Sequence, residues 1–159
     1  MIERTLVIIK PDAVQRNLIG EILRRIEAGG FRIVQMGMLR LTREQAVAFY
    51  AVHNGKPFYE PLIEFMTSGP CVPVAVEGEK AVLRLRELVG ATDPAEAATG
   101  TLRKEFGENG RRNGVHASDS PDTAEREIAF FFAFRRKTKL GFVKTVVPKP
   151  EFWNEKKTN

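Results

Sequence analysis

Histidine is scarce in this chain: only His53 and His116 offer an imidazole. A side chain that titrates near neutrality can serve as base, acid, nucleophile or metal ligand, so the surroundings of each decide its use. His116 lies in NGVHASDS, among small polar residues rather than on an apolar stripe. The same polar, glycine-rich stretch, 90–121, carries Thr92, Arg103, Arg111, Arg112, Asn113, Ser118, Asp119 and Ser120, with Arg86 just before it. Guanidinium forks match the oxygen spacing of phosphates, and hydroxyl and amide groups add neutral donors, so this set suits a polyphosphate. Composition alone favours a solvated loop.

Other chemistries find less support. Neither a GxxxxGK run followed by Ser or Thr nor a GxGxxG turn after a strand is present, so a nucleotide would have to be held without either familiar phosphate loop. Two histidines and the single Cys71 give no zinc spacing, and no permanent protein-ligated transition metal is expected. His116, Ser118 and Asp119 supply the residue types of a hydrolytic triad, but neighbours on one loop rarely converge, and there is no GxSxG elbow. Cys71, inside the apolar run CVPVAV, reads as a buried structural thiol.

The elements that must position these residues follow from hydrophobic period. TLVII at 5–9 is short and rich in β-branched residues, a buried strand that ends at Lys10-Pro11 and so brings Lys10 to its tip. Ile19, Ile22, Leu23 and Ile26 form the stripe of an amphipathic helix stopped by Gly29-Gly30. In 31–41, Phe31, Ile33, Leu39 and Leu41 fall on one side of a period-2 pattern, which predicts a second strand. Thr42 caps a helix through REQAVAFY, and another short helix follows Pro57 from Phe58 to Met66. Cys71–Val76 reads as a third strand, and Ala81, Val82, Leu85, Leu88 and Val89 as a helical stripe. After the long loop, Ser120-Pro121 opens a short helical turn that leads into IAFFFAF, 128–134, which fits a central strand. The order βαββαβ describes an α+β, ferredoxin-like fold: a four-stranded antiparallel sheet with helices on one face and a long nucleotide-binding loop.

At 159 residues and 43% hydrophobic content, one compact domain is the expectation. Charges interrupt every apolar run before the roughly 20 residues a membrane helix needs, so no membrane role is expected. The N-terminal MIERTLVIIK lacks the features of a secretory leader, which makes the cytoplasm the expected compartment. The net charge of +5 is concentrated at one end. Residues 135–159 hold eight Lys or Arg against Glu151 and Glu155, a balance of +6, whereas 1–134 hold 17 basic and 18 acidic side chains, a balance of −1. Such a tail is a solvated arm or a docking segment more often than a nucleic-acid site, so nucleic acid is not expected as the main partner.

Five blocks in order, ERTLVIIKPDAVQRNLIGEI (3–22), KPFYEPLIEFMTSGP (56–70), GATDPAEA (90–97), GTLRKEF (100–106) and NGVHASDS (113–120), resemble the nucleoside diphosphate kinase family. The resemblance spans residues 3 to about 134. It implies a Mg²⁺-dependent enzyme that moves the terminal phosphoryl of a nucleoside triphosphate, mainly ATP, to a nucleoside diphosphate by a ping-pong route through phosphohistidine at His116. By the same resemblance, one ring nitrogen attacks while the other donates to the Ala117 carbonyl. Glu127 and Ser118 position the imidazole, and Lys10 and Tyr50 meet the transferred phosphoryl. Arg86, Thr92 and Arg103 hold the remaining phosphates with Mg²⁺ bridging them, Asn113 and Lys10 bind the ribose, and Phe58 stacks on the base with Leu62 opposite. The metal is held by the nucleotide rather than by direct protein ligands. Family members are homo-oligomers, hexamers or tetramers.

Two departures stand out. The common HGSDS is HASDS here, and if position 117 needs a positive φ, alanine costs about 1 kcal/mol. Gly110 and Gly114 replace larger residues, so a less rigid loop is expected. Residues 1–134 are thus expected to form the kinase domain. The tail 135–159 does not match the usual ending, and its apolar residues, Trp153 among them, suggest docking on the domain or on a neighbouring subunit.

Overall fold

The computed structural model describes residues 1–132 and the backbone of two short strands, β5 (Arg135–Lys137) and β6 (Val143–Thr145), which pair antiparallel. The docking expected of the tail lies outside the described residues.

The sheet is built from β1 (Ile2–Ile9), β2 (Arg32–Met36), β3 (Val72–Glu79) and β4 (Val115–Ala117), in spatial order β2-β3-β1-β4. Every pairing is antiparallel. Central β1 carries five successive buried residues from Thr5 to Ile9, as a strand covered on both faces requires. With α2 (Ile19–Ala28) and α5 (Ala81–Val89) as the two crossing helices, the chain order is the expected ferredoxin-like βαββαβ.

One face of the sheet packs Val7, Ile9, Val74, Val76, Val115 and Ala117 against Ile22 and Ile26 of α2 and Leu85 and Val89 of α5. The opposite face is covered too, which corrects the expectation of helices on one side only. There Leu6, Ile8 and Ala75 meet α3 (Arg43–Phe49), α4 (Tyr59–Thr67) and α7 (Pro121–Phe132). Thr42 opens α3 with a reciprocal cap, its side chain accepting from Gln45 N while the Gln45 side chain accepts from Thr42 N. α1 (Pro11–Gln15) and α6 (Leu102–Phe106) complete the set.

Three local expectations change. The aromatic run at 128–132 is the end of α7, not a strand: Ser120 accepts from Thr123 N, and Ala124, Glu127 and Phe131 bury one helical stripe. Helix initiation at Ser120-Pro121 and packing of Phe131 outweigh the strand preference of the aromatics. The fourth strand is instead β4, within the stretch read as loop, and α6 lies there as well. Finally, Phe31 and Ile33 belong to one core while Leu39 and Leu41 belong to the other. A register shift between Ile33 and Gln35, and the end of β2 at Met36, break the period-2 alternation.

Candidate active site

β1 delivers Lys10 to the edge of the sheet, and Pro11 at the first position of α1 ends the strand there. Lys10 is 5% exposed; its Nζ donates to the Arg111 carbonyl at 2.6 Å and to Asn113 Oδ1 at 2.8 Å. Burial pulls this ammonium down to about 7, opposed by Asp12 and assisted by Arg103 and Arg111. Asn113 is fixed in turn, its Nδ2 donating to the carbonyls of Thr92 at 3.0 Å and Gly110 at 3.1 Å.

β4 sets His116 opposite Ile8. Strand alternation sends Val115 and Ala117 into the core under α2 and α5, and His116 to the face carrying α3 and α7. Its ring meets Phe49 edge-on at 5.6 Å and Tyr50 at 6.3 Å. From α7, Glu127 Oε2 lies 2.8 Å from His116 Nε2 and accepts from Ser118 Oγ at 2.6 Å. Ser118 is fully buried, so this oxygen holds two donors away from water.

The cationic wall comes from α5 and α6. Thr101 caps α6 by accepting from Lys104 N. Gly90 has φ +89, and a Cβ there would lie 2.5 Å from Thr101 Oγ1, so only glycine lets the end of α5 approach α6 this closely. That approach lets Arg103 donate to the Gly90 carbonyl through Nη1 and to the Val115 carbonyl through Nη2, both at 3.0 Å. Burial and then Arg86 lower the Arg103 guanidinium to about 10, which leaves it charged at neutral pH.

These residues line one cleft of about 1020 Å³. Of the residues expected from the sequence, Lys10, Tyr50, Phe58, Leu62, Arg86, Thr92, Arg103, Asn113, His116 and Glu127 border it, and Ser118 sits behind it against Glu127. Tyr50 is buried, which pushes its phenol up and keeps it a hydrogen-bond donor. At the mouth Phe58 is 45% exposed, with His53 edge-on at 5.3 Å.

The role expected of Ala117 is corrected. The imidazole Nε2 is engaged by Glu127 rather than by the Ala117 carbonyl, and residue 117, in β4, is not among those with positive φ, so alanine carries no backbone strain there. Gly114, in contrast, does use φ +83. Sequence reasoning missed His53, Thr123 and Arg126 as wall residues. The three-residue spacing of Tyr50 and His53, one helical turn, was the available signal for the first. It also gave no role to Asp12, an acid 1% exposed two residues from Lys10.

Among the described residues, no group of three His, Cys, Asp or Glu is placed to hold a metal. The cleft's acids are Asp119 and Glu127, and Glu127 is occupied by His116 and Ser118. No helix among the described residues is long and apolar enough to cross a membrane.

The family model described as nucleoside diphosphate kinase matches residues 3–136. A curated nucleoside diphosphate kinase of Desulfatibacillum aliphaticivorans is 57% identical over 130 residues, 82% of this chain and 94% of that one. The solved structure of the Aquifex aeolicus nucleoside diphosphate kinase is 44% identical, with TM-score 0.82 over 90% of this chain and all of that chain. A halophilic nucleoside diphosphate kinase from Halobacterium salinarum, solved in complex with CDP, is 45% identical with TM-score 0.80, over 83% and 88% of the two chains. A shared fold at this identity, with a histidine, a lysine and arginines converging on one cleft, leaves one conclusion: the chain belongs to the nucleoside diphosphate kinase family.

Proposed function

We propose that the protein transfers the terminal phosphoryl group of a nucleoside triphosphate, mainly ATP, to a nucleoside diphosphate, with His116 as the covalent carrier. The observation that carries this reading is the contact of His116 Nε2 with Glu127 Oε2 at 2.8 Å. A carboxylate only accepts, so Nε2 carries the ring proton and Nδ1 keeps its lone pair. Nδ1 attacks the terminal phosphorus, the bond to the bridging oxygen breaks, and a nucleoside diphosphate leaves with that electron pair. In the second half, a terminal phosphate oxygen of another diphosphate attacks the phosphohistidine, and the nitrogen recovers its pair. Glu127 stabilises the cationic ring of the phosphorylated state, and Ser118 holds Glu127 in place.

Lys10 and Tyr50 donate to the oxygens of the phosphoryl in flight, where charge gathers and fixed donors lower the barrier most. Arg86, Thr92 and Arg103 hold the phosphates that do not move, and Asn113 with Lys10 the ribose hydroxyls. The base rests on Phe58 with Leu62 beside it. Stacking uses a face that every base has, so base selectivity is weak.

Mg²⁺ fits this site as a passenger of the polyphosphate, since among the described residues the cleft offers no acidic cage and Asp119 is its one acid not engaged by His116. When bound, the ion would offset phosphate charge beside Arg86, Thr92 and Arg103, with Asp119 the cleft carboxylate available to its waters. A homo-oligomer, a hexamer or tetramer, suits the edge strand β2, with Met36 and Met38 exposed at 45% and 60%. An enzyme that draws on nucleoside triphosphates also suits the cytoplasmic placement expected from the sequence.

The test is incubation of the protein with terminally ³²P-labelled ATP alone. Acid-labile, alkali-stable label on the wild type, lost in His116→Ala, is the expected result. A wild-type protein that stays unlabelled ends the reading.

A further inference from the structure

Asp12 is 1% exposed, and no residue of the mechanism above touches substrate through it. Its Oδ2 accepts from Gly114 N at 2.9 Å, while Lys10 N donates to the Gly114 carbonyl at 2.9 Å. Both faces of one peptide residue are therefore gripped by the segment that ends β1. Gly114 stands between Asn113, which holds the Lys10 ammonium, and Val115-His116, which begin β4. Its φ of +83 is one that glycine adopts without strain, so the two bonds serve to fix where this residue sits. The second oxygen, Oδ1, is buried without a hydrogen-bond partner among the described residues. A carboxylate oxygen in that state is costly unless its charge is used.

Its use lies in the surroundings of Lys10. Arg103 from α6 and Arg111 from the loop both repel the Lys10 ammonium, and the Asp12 carboxylate from α1 attracts it. Arg112, stacked over the Phe65 ring with its Nε on Glu108, also feels Asp12. The remaining polar neighbours of the ammonium, the Arg111 carbonyl and Asn113, are neutral.

We propose that Asp12 is a positioning residue for phosphoryl transfer: it fixes Gly114, and with it Asn113 and the start of β4, and it places a buried carboxylate two residues from Lys10. The inference rests on the phosphate role given to Lys10. Because that role needs the charged form, kcat/KM falls as pH rises through the Lys10 titration of the free enzyme. Loss of the Asp12 charge weakens the ammonium and moves this alkaline limb to lower pH.

Asp12→Asn keeps an acceptor for Gly114 N and removes the charge; Asp12→Ala removes both. The expected result is an alkaline limb about one pH unit lower in the Asn variant, with an acid-side plateau well above that of the Ala variant. A pH profile of Asp12→Asn that superimposes on wild type, or Asn and Ala variants that behave alike, overturns the proposal. Arg111→Gln provides the opposite sign, since loss of a repelling cation at an exposed position moves the limb upward. Should circular dichroism show Asp12→Asn unfolded, Asp12→Glu, which keeps the charge, decides: an alkaline limb at the wild-type position is expected, and one displaced downward overturns the idea. Wild-type labelling by ATP separates the two failures: no label removes the reading of the site, whereas label with unmoved limbs removes only the part given to Asp12.

Discussion

The two ends of the cleft are built differently. At the inner end His116, Glu127 and Ser118 are tied side chain to side chain, Lys10 is pinned by two acceptors, and the Phe49 and Tyr50 rings close around the imidazole. At the mouth Phe58 is nearly half exposed, with Leu62 beside it on α4. Developing charge is stabilised only by dipoles already in place, because reorganising them during the reaction would consume the gain. A base needs only a flat apolar surface, and stacking is worth about 1–3 kcal/mol whatever the base. The inner end is therefore expected to set rate, and the mouth to set affinity.

Substitutions at the two ends should divide accordingly. Lys10→Met has the largest expected effect of these, a fall of about 10²–10³-fold in kcat/KM, followed by steady-state transfer between ATP and a second diphosphate. The same variant carries a stability signature. The folded pKa, about 7, lies below the unfolded value near 10.4, so the unfolded chain binds more protons between these limits. Wild-type stability without ligand should thus gain from this group as pH rises from about 7 to about 10, and the gain should vanish in the Met variant when thermal melts are compared across that range.

Glu127→Gln should lower kcat by about 10²-fold, since an amide can present its NH₂ to Nε2 and hold the wrong tautomer; KM should move little. Phe58→Ala is expected to be the mildest, raising KM about tenfold with kcat nearly unchanged. Should Phe58→Ala reduce kcat as deeply as Glu127→Gln, the division between a rate end and an affinity end is wrong.

How much of this was legible beforehand differs by element. Lys10, Arg103 and His116 sit in local motifs, and their convergence follows once those motifs are matched to a family. The helix α2 and strand β3 were readable from period alone. In contrast, β4 is three residues long and lies in a polar stretch, so no periodicity can reveal it; pairing with β1 creates it. The aromatic run of α7 misled for the opposite reason: 128–132 is apolar at every position, while the polar exposed face of the helix, Asp122, Glu125 and Arg126, lies in its first half and leaves the run itself without a visible period. The Glu127 contact depends on that helix crossing back over β4, and sequence spacing says nothing of such a crossing. Asp12 was overlooked because an acid beside a lysine reads as a surface pair, and only burial shows otherwise.

The shortness of β4 bears on the fidelity of folding. Three residues at the edge of a sheet are weakly committed to their register, yet a slip by one would exchange faces, carrying His116 among Val7, Ile9 and Leu85 and turning Ala117 toward Glu127. An imidazole in that apolar layer, and a buried carboxylate left without its ring, penalise the slipped state from both sides of the sheet. The nucleophile thereby polices its own strand, and a molecule that has folded at all is disfavoured from having folded into an inactive form.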